Sequence, residues 1–496
     1  MNIGNETIVG LDIGTTKIAC FIGKRNEDGK IKIIGFGKTE SKGVERGVVK
    51  NIKDTAKSIT TAVEMAQEQA GIEVKEVYVG IAGQHIKSIE TMGTVMIPPD
   101  HKYILQEDVD RLIDEQHNIN LNPGEDIIHI FPQNFVVDGE ELGIDVRPVG
   151  VAGKQLKSSF HIVTGNTMNL LNIYDSVERA GLTIKNVVLE PIASACAVLD
   201  QADRDAGVAL VDIGGGTTDI AIFSEGIIRH TSVLAVAGNY ITNSIKEDCK
   251  ILRSQAENLK TRFGSCLPQN VKENDIISIP GLRTQPPREI SMRTLAEIIK
   301  ERTQVIIDQI DFEIKESHLK DKLIAGLVLT GGGAMLRHIK ELTEFNTKID
   351  TRIGLPNEHL ALDSEPEIIN TMYATGIGLV IYGFMELDEE RRHEMEMSDS
   401  GTPNRNRQEP KHEEEPEQTI PSNVFDDLPP ITETTTTETE HRDTPHTDTT
   451  TNTTPGTDEG RRGGFVKMIS KTVEKYFNKV FNDSNISNEG QEQRDI

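Results

Sequence analysis

The chain has 496 residues, room for about three folding units, and it carries 79 acidic against 53 basic residues, a formal charge of −26, and no Trp. So acidic a total argues against non-specific binding to nucleic acid or anionic lipid unless a basic patch is held apart from the rest. The four cysteines, Cys20, Cys196, Cys249 and Cys266, have no Cys-x-x-Cys spacing, no apolar run reaches the roughly 18 residues of a membrane span, and the first residues lack a secretion signal, so a cytoplasmic protein is expected.

Charge divides the chain into three regimes. Residues 1–387 hold 40 basic and 54 acidic residues, residues 388–460 hold 6 and 20, and residues 461–496 hold 7 and 5. The first regime alternates β-branched runs with amphipathic helical stretches, which predicts an α/β body. Near its start, residues 8–23 form an apolar strand, an Asp-Ile-Gly turn with a Thr pair, and a second apolar strand. Residues 208–223 repeat the pattern, which suggests a duplicated domain with one copy in each of two lobes. Such a hairpin offers backbone N–H groups and hydroxyls to phosphate, because glycine lets the main chain approach an anion closely. The candidates are Gly14, Thr15, Thr16 and Lys17 in the first copy, and Gly214, Gly215, Gly216, Thr217 and Thr218 in the second. Asp12 and Asp212 end their strands where a carboxylate can hold magnesium through its waters. Further along, Gly331, Gly332, Gly333 and Ala334 follow an apolar strand and lead into a helix expected from Met335 to Ile339, a turn suited to close approach by a flat base or a phosphate.

The second regime has one aromatic, Phe425, and Thr fills 14 of the 26 positions from 432 to 457. It lacks the apolar area to offset chain entropy and is expected to be a disordered linker. The end of the chain changes character. At 100° per residue, Phe465, Ile469, Val473, Phe477 and Val480 share one apolar face, with Lys467, Lys471, Lys475 and Lys479 along its flank. Between 461 and 481 there are six basic residues and one acidic. This pattern predicts a helix lying on an anionic membrane surface; docking on a protein groove or back on the body is the alternative.

The two hairpins, the glycine turn and the small-residue segments 190–197 and 370–378 together resemble the actin, sugar kinase and heat-shock chaperone ATPase superfamily. Within it, residues 126–139 and 148–153 resemble the 1C insertion, and residues 286–299 the 2B subdomain, of the bacterial cell-division FtsA family. The resemblance implies a two-lobed actin-like ATPase fold that binds ATP and Mg2+. Lobe one would comprise residues 1–84 and 165–205 around a 1C-like insertion at 85–164. Lobe two would comprise 206–236 and 303–387 around a 2B-like part at 237–302. The linker (388–460), membrane helix (461–482) and tail (483–496) would follow. By the same resemblance, the segments at 190–197 and 370–378 are the crossing helices of the hinge. Glu257 and Lys260 would contact ribose, though their spacing equally suits an exposed intrahelical ion pair. Gly238 would lie near the nucleotide. Glu190 would orient the attacking water, or else be a carboxylate that stabilises a helix start. Arg288, Arg293 and Arg302 would meet an acidic partner peptide. The implied function is self-assembly into short filaments that tether the FtsZ-like division GTPase to the inner face of the cell membrane at the septum, with later division proteins as further partners, no nucleic acid, and at most weak ATPase activity. A shape-determining or pilus-assembly ATPase is the alternative.

Overall fold

The computed structural model describes residues 6–399, apart from 27–28, 144–145, 273, 282–285, 358 and 362–364, and no side chains beyond 392. Most of the expected linker and all of the expected membrane helix lie outside the described residues. Among the described residues, no helix is long and apolar enough to cross a membrane, and all four cysteines are free thiols.

Lobe one opens with β1 (Thr7–Ile13), β2 (Lys17–Arg25) and β3 (Ile31–Glu40), then a small hairpin of β4 (Val44–Glu45) and β5 (Val48–Val49). Helix α1 (Ile52–Ala70) follows, started by the Asn51 side chain, which accepts from the Asp54 N–H, and stopped by left-handed Gly71. After β6 (Glu76–Ile81) the chain leaves the lobe to build β7 (Lys87–Met96), α2 (Gln106–Gln116), β8 (Glu125–Val137), β9 (Glu140–Glu141) and β10 (Gln155–Asn166). It returns through α3 (Thr167–Arg179), β11 (Thr183–Leu189), α4 (Glu190–Val198) and α5 (Gln201–Ala206).

Lobe two contains β12 (Val208–Ile213), β13 (Thr218–Ser224), β14 (Ile227–Leu234), α6 (Gly238–Cys249), α7 (Arg253–Phe263), β15 (Ile276–Ile279), β16 (Arg288–Ser291) and α8 (Met292–Glu316). It closes with β17 (Gly326–Thr330), α9 (Ile339–Thr347) and β18 (Thr351–Ile353), and the chain then returns in α10 (Ala374–Asp399) to pack on β1, β2 and β6 of lobe one, so the stretch 303–387 expected for lobe two ends in a helix of the other lobe's core.

The two central sheets have one topology. The first runs β11-β6-β1-β2-β3 and the second β14-β13-β12-β17-β18. In each, an antiparallel meander is extended by two parallel strands, so the repeat seen in the sequence is a repeat of architecture. Strand alternation then sorts the core. Val208 and Leu210 of β12 pack with lobe one and the two helices α4 and α10, whereas Ala209, Val211 and Ile213 pack with the Ile298–Ile314 stripe of α8. The insertion, a four-stranded sheet ordered β7-β10-β8-β9, has its own core around Ile104, Leu112, Leu156 and Phe160.

Helices α4 and α10 cross backbone to backbone. A Cβ on Gly378 would lie 1.7 Å from the Ala193 carbonyl oxygen, so glycine there is a steric requirement of the crossing, and one on Gly376 would lie 2.2 Å from the Phe21 ring of β2, where α10 meets the lobe-one sheet.

Three further expectations shift in detail. Helix α10 continues through Asp399, past the boundary drawn at residue 387 from composition. The reason is local: Arg25 pairs with Asp388 and lies over the Phe384 ring, so the acidic turn remains attached to β2. The boundary drawn between 302 and 303 falls inside α8. After the glycine turn a 3-10 turn (Gly332–Met335) intervenes, and α9 begins only at Ile339, behind left-handed His338.

The insertion meets both lobes through buried histidines, His161 at β14 of lobe two and His129 at β11 of lobe one. His161 Nε2 lies 2.9 Å from the Thr231 hydroxyl, and His129 Nε2 accepts from the Leu189 N–H. Burial depresses both imidazoles to about 3 from 6.5; the nearby His230 further opposes a charge on His161. Below pH 6.5 the unfolded chain therefore takes up protons that the folded chain refuses, and stability falls with pH, by about 2 kcal/mol per histidine at pH 5. Buried acids elsewhere titrate with the opposite sign, so the comparison with a variant is decisive. Urea unfolding at pH 7 and pH 5 should show His161→Gln losing about 2 kcal/mol less than the parent over that interval.

Candidate functional site

The two Asp-Ile-Gly hairpins point at each other from the two lobes. Their tips meet: a Cβ on Gly215 would lie 1.8 Å from Thr16 Oγ1, and one on Gly216 would lie 2.4 Å from Thr15 Oγ1. Registers Ile13↔Ile18 and Ile213↔Thr218 give both turns the same length, so the Thr pairs do not occupy equivalent places. Thr15 and Thr16 form the first tip, whereas three glycines form most of the second and push its Thr pair toward the strand. Thr217 Oγ1 donates to Asp219 Oδ2 at 3.0 Å. Thr218, a candidate phosphate contact on sequence, is fully buried in β13 and donates to the Val236 carbonyl at 2.8 Å. The second hairpin therefore offers glycine backbone to a ligand rather than hydroxyls.

Behind the tips lies a cluster of acids. Asp12 receives Lys17 Nζ at 2.6 Å. Burial opposes the lysine's charge, but Asp12, with help from Asp212 and Glu190, holds its pKa above the ordinary value. Asp212 Oδ2 accepts from Ser194 Oγ at 2.7 Å and Thr375 Oγ1 at 3.2 Å, one hydroxyl from each crossing helix. Burial raises its pKa, with Asp12 adding to the rise. Asp219 and Glu190 are pushed further: burial dominates in both, reinforced for Asp219 by Asp212 and for Glu190 by Asp12 and then Asp219. Asp219 Oδ1 is buried with no hydrogen-bond partner. Four carboxyls around one lysine suit an added cation. No three acids among the described residues converge as direct ligands, so a metal at this place would be held through waters.

Lobe two continues the site outward. A Cβ on Gly331 would lie 2.2 Å from Asp212 Oδ1, whereas one on Gly332 would meet nothing within 4 Å. The glycine turn thus touches the carboxylate with one residue and leaves an open face at the next. Gly333 sits on Ile213, and Ala334 is buried beside it. Gly238 opens α6, its N–H donating to the Gly214 carbonyl at 3.1 Å. Lys260 Nζ donates to the Gly238 carbonyl at 3.1 Å and to Thr242 Oγ1 at 2.9 Å while pairing with Glu257 at 2.9 Å. Burial lowers its pKa, and Glu257 opposes that shift. The pair is thus an intrahelical ion pair with Lys260 largely buried, turned toward hairpin two.

The remaining candidates scatter. Glu190 begins α4 after β11, partly accessible in the acid cluster. Arg288 is on β16, donating to the Cys249 carbonyl, and Arg293 pairs with Glu297. Arg302, nine residues beyond Arg293 along α8 and so on the opposite side of the helix, lies over the Tyr240 ring. Sequence reasoning missed Ser194, Thr375 and Thr242. The first two are hydroxyls within the small, apolar stretches 191–198 and 374–381, and that contrast was the available signal.

Comparison with known proteins agrees with this architecture. A family model of the cell division protein FtsA matches residues 209–378, one of the SHS2 domain inserted in FtsA matches 83–164, and one of the Hsp70 protein matches 168–240. The chain is 36% identical over 397 residues to the cell division protein FtsA of Pseudomonas aeruginosa, covering 80% of this chain and 93% of that one. It is 37% identical over 373 residues to that of Neisseria meningitidis (75% and 88% covered) and 30% identical over 376 to that of Bacillus subtilis (76% and 83% covered). A solved chain of a PilM-PilN type IV pilus biogenesis complex shares the fold, with a TM-score of 0.55, 16% identity, and coverage of 76% of this chain and 98% of that one.

Proposed function

The chain belongs to the FtsA family of cell-division proteins, and from that premise we propose that it is an ATP-binding adaptor that self-assembles and tethers an FtsZ-like GTPase to the inner face of the cell membrane at the division site. The observation that carries the nucleotide part is the convergence of both hairpins, the glycine turn, the buried carboxyls of Asp12, Asp212 and Asp219, and the half-buried Glu190 at one interlobe point. The residues fit magnesium–ATP. Asp12 and Asp212 would hold the metal through water, Lys17 and the tip backbone would meet phosphates, Gly238, Glu257 and Lys260 would meet ribose, and Gly331, Gly332, Gly333 and Ala334 would border the base. Bound magnesium would screen the phosphate charges against the surrounding acids.

The chain's own groups favour a switch over a fast enzyme. Glu190 would orient a water, and its carboxyl, raised by burial and by the neighbouring Asp12, Asp219 and Asp212, holds its proton more strongly than an ordinary glutamate. Asp212 connects the site to the hinge because its two hydroxyl partners belong to α4 and α10. A change at Asp212 is therefore felt where the lobes pivot. Residues Phe465, Ile469, Val473, Phe477 and Val480, flanked by Lys467, Lys471, Lys475 and Lys479, would supply the membrane contact. Assembly would multiply that contact by avidity.

Calorimetric titration of the full chain with ATP tests the nucleotide reading. Saturable binding that is lost when EDTA removes magnesium supports it; no heat up to millimolar ATP overturns it.

A further inference from the structure

A cavity of about 390 Å³ lies against the hairpin tips, outside the acid cluster. Thr15, Gly215 and Gly216 contribute to its wall, together with Arg46, Asn239, Asn243 and Arg253. None of Asp12, Glu190, Asp212 or Gly331 lines it. The cavity thus shares the phosphate hairpins while bearing the opposite charge to the cluster behind them.

Two arginines line it, one held by its side chain and the other by its backbone turn. Arg253 donates to Asn243 Oδ1 at 2.7 Å and to Asn239 Oδ1 at 2.8 Å. Both partners are neutral amides, so the side chain is oriented while its charge is left uncompensated. Arg46 occupies the two-residue turn between β4 and β5, where both Arg46 (φ 50°) and Gly47 (φ 72°) are left-handed. That turn favours Asn, Asp or Gly at its first position, and Arg there is a strained choice. The turn is also pinned. The Gly47 N–H donates to Thr15 Oγ1 at 2.9 Å, and a Cβ on Gly47 would lie 2.7 Å from Gly83 Cα. Among the described residues neither guanidinium has an ion-pair partner. Lys260 feels the charge of Arg253, and Glu45 is the one acid in the cavity wall.

We propose that this cavity is an oxyanion site for a phosphate group, with Arg46 and Arg253 as its cations. Glycines without Cβ, a threonine hydroxyl and forked guanidinium donors are the lining that phosphate recognition uses. The site rests on the nucleotide reading only for the source of its ligand: the terminal phosphate of bound ATP, or free phosphate. Arg46 belongs to lobe one, and Gly238, Glu257, Lys260 and the glycine turn are absent from the cavity wall, so Arg46 acts on phosphate occupancy rather than on base or ribose binding.

The test variant is Arg46→Asn, which suits the left-handed turn and removes the charge; Arg253→Gln is the second. Inorganic phosphate is titrated into the full chain, alone and saturated with magnesium–ADP, and ATP and ADP affinities are measured. Arg46→Asn should weaken phosphate binding about tenfold with ADP affinity unchanged, and Arg253→Gln should weaken it in the same direction. A lowered ATP-to-ADP affinity ratio in Arg46→Asn would identify the attached phosphate as the ligand, and an unchanged ratio the free one. Phosphate that does not bind, or that binds parent and both variants equally, overturns the proposal. So does hexaglutamate binding that depends on Arg46 while phosphate is ignored, which would assign the cavity to an acidic peptide. If ADP does not bind, the nucleotide reading fails while the phosphate titration of the chain alone still decides this one.

Discussion

Asp212→Asn should weaken magnesium–ATP binding by roughly 30-fold, about 2 kcal/mol, while the nucleotide-free chain remains at least as stable as the parent. The two halves of this expectation have one cause. Burial and the proximity of Asp12 raise the Asp212 pKa, so its ionised form carries a desolvation penalty at neutral pH that a neutral isostere avoids. Asn keeps an acceptor for Ser194 and Thr375, whose hydroxyls now donate to the carboxylate. What it loses is the negative charge that would orient the metal's waters. Calorimetry gives the affinity and a thermal melt without nucleotide gives the stability. A variant that binds as tightly as the parent removes Asp212 from the site; one that melts far below it makes the residue structural.

Gly378→Ala should destabilise the chain by about 3 kcal/mol or more, with Gly332→Ala as the control that changes stability by less than about 0.5 kcal/mol. The added methyl at 378 would stand 1.7 Å from the Ala193 carbonyl oxygen, a backbone atom that cannot rotate away. Relief requires α10 to withdraw from α4. Those helices also carry Thr375 and Ser194, so the displacement breaks the hydroxyl pair that holds Asp212. Nucleotide affinity should therefore fall together with stability in Gly378→Ala. Urea midpoints of the two variants check the first expectation; equal midpoints would mean that the crossing tolerates separation and that the small residues have another purpose.

How far the sequence revealed this molecule depends on the kind of feature. The duplicated hairpin was legible because a β-branched strand, a glycine turn and a second strand form a local pattern, and the matching sheet orders are its consequence. The crossing segments were legible as runs of small residues, but not why Gly378 must be small, since its constraint is a carbonyl 185 positions away. The role of Thr218 was misread: a Thr pair looks the same at a tip or in a strand, and only the register separates them. The boundary at residue 387 was misplaced because net charge cannot distinguish a solvated linker from a helix attached through ion pairs such as Arg25–Asp388, Lys185–Glu390 and Arg391–Glu6. Arg46 drew no notice at all, because a left-handed φ at an arginine leaves no mark in composition or periodicity.

The adaptor itself is tested most directly by liposome flotation of the full chain with a fluorescent FtsZ-like GTPase and magnesium–ATP, beside Phe477→Glu and a truncation before Arg461. The account predicts that the intact chain floats and carries the GTPase with it, while the charged residue on the apolar face and the truncation each leave both proteins at the bottom of the gradient. Equal flotation of all three chains, or an intact chain that floats without the GTPase, would contradict it.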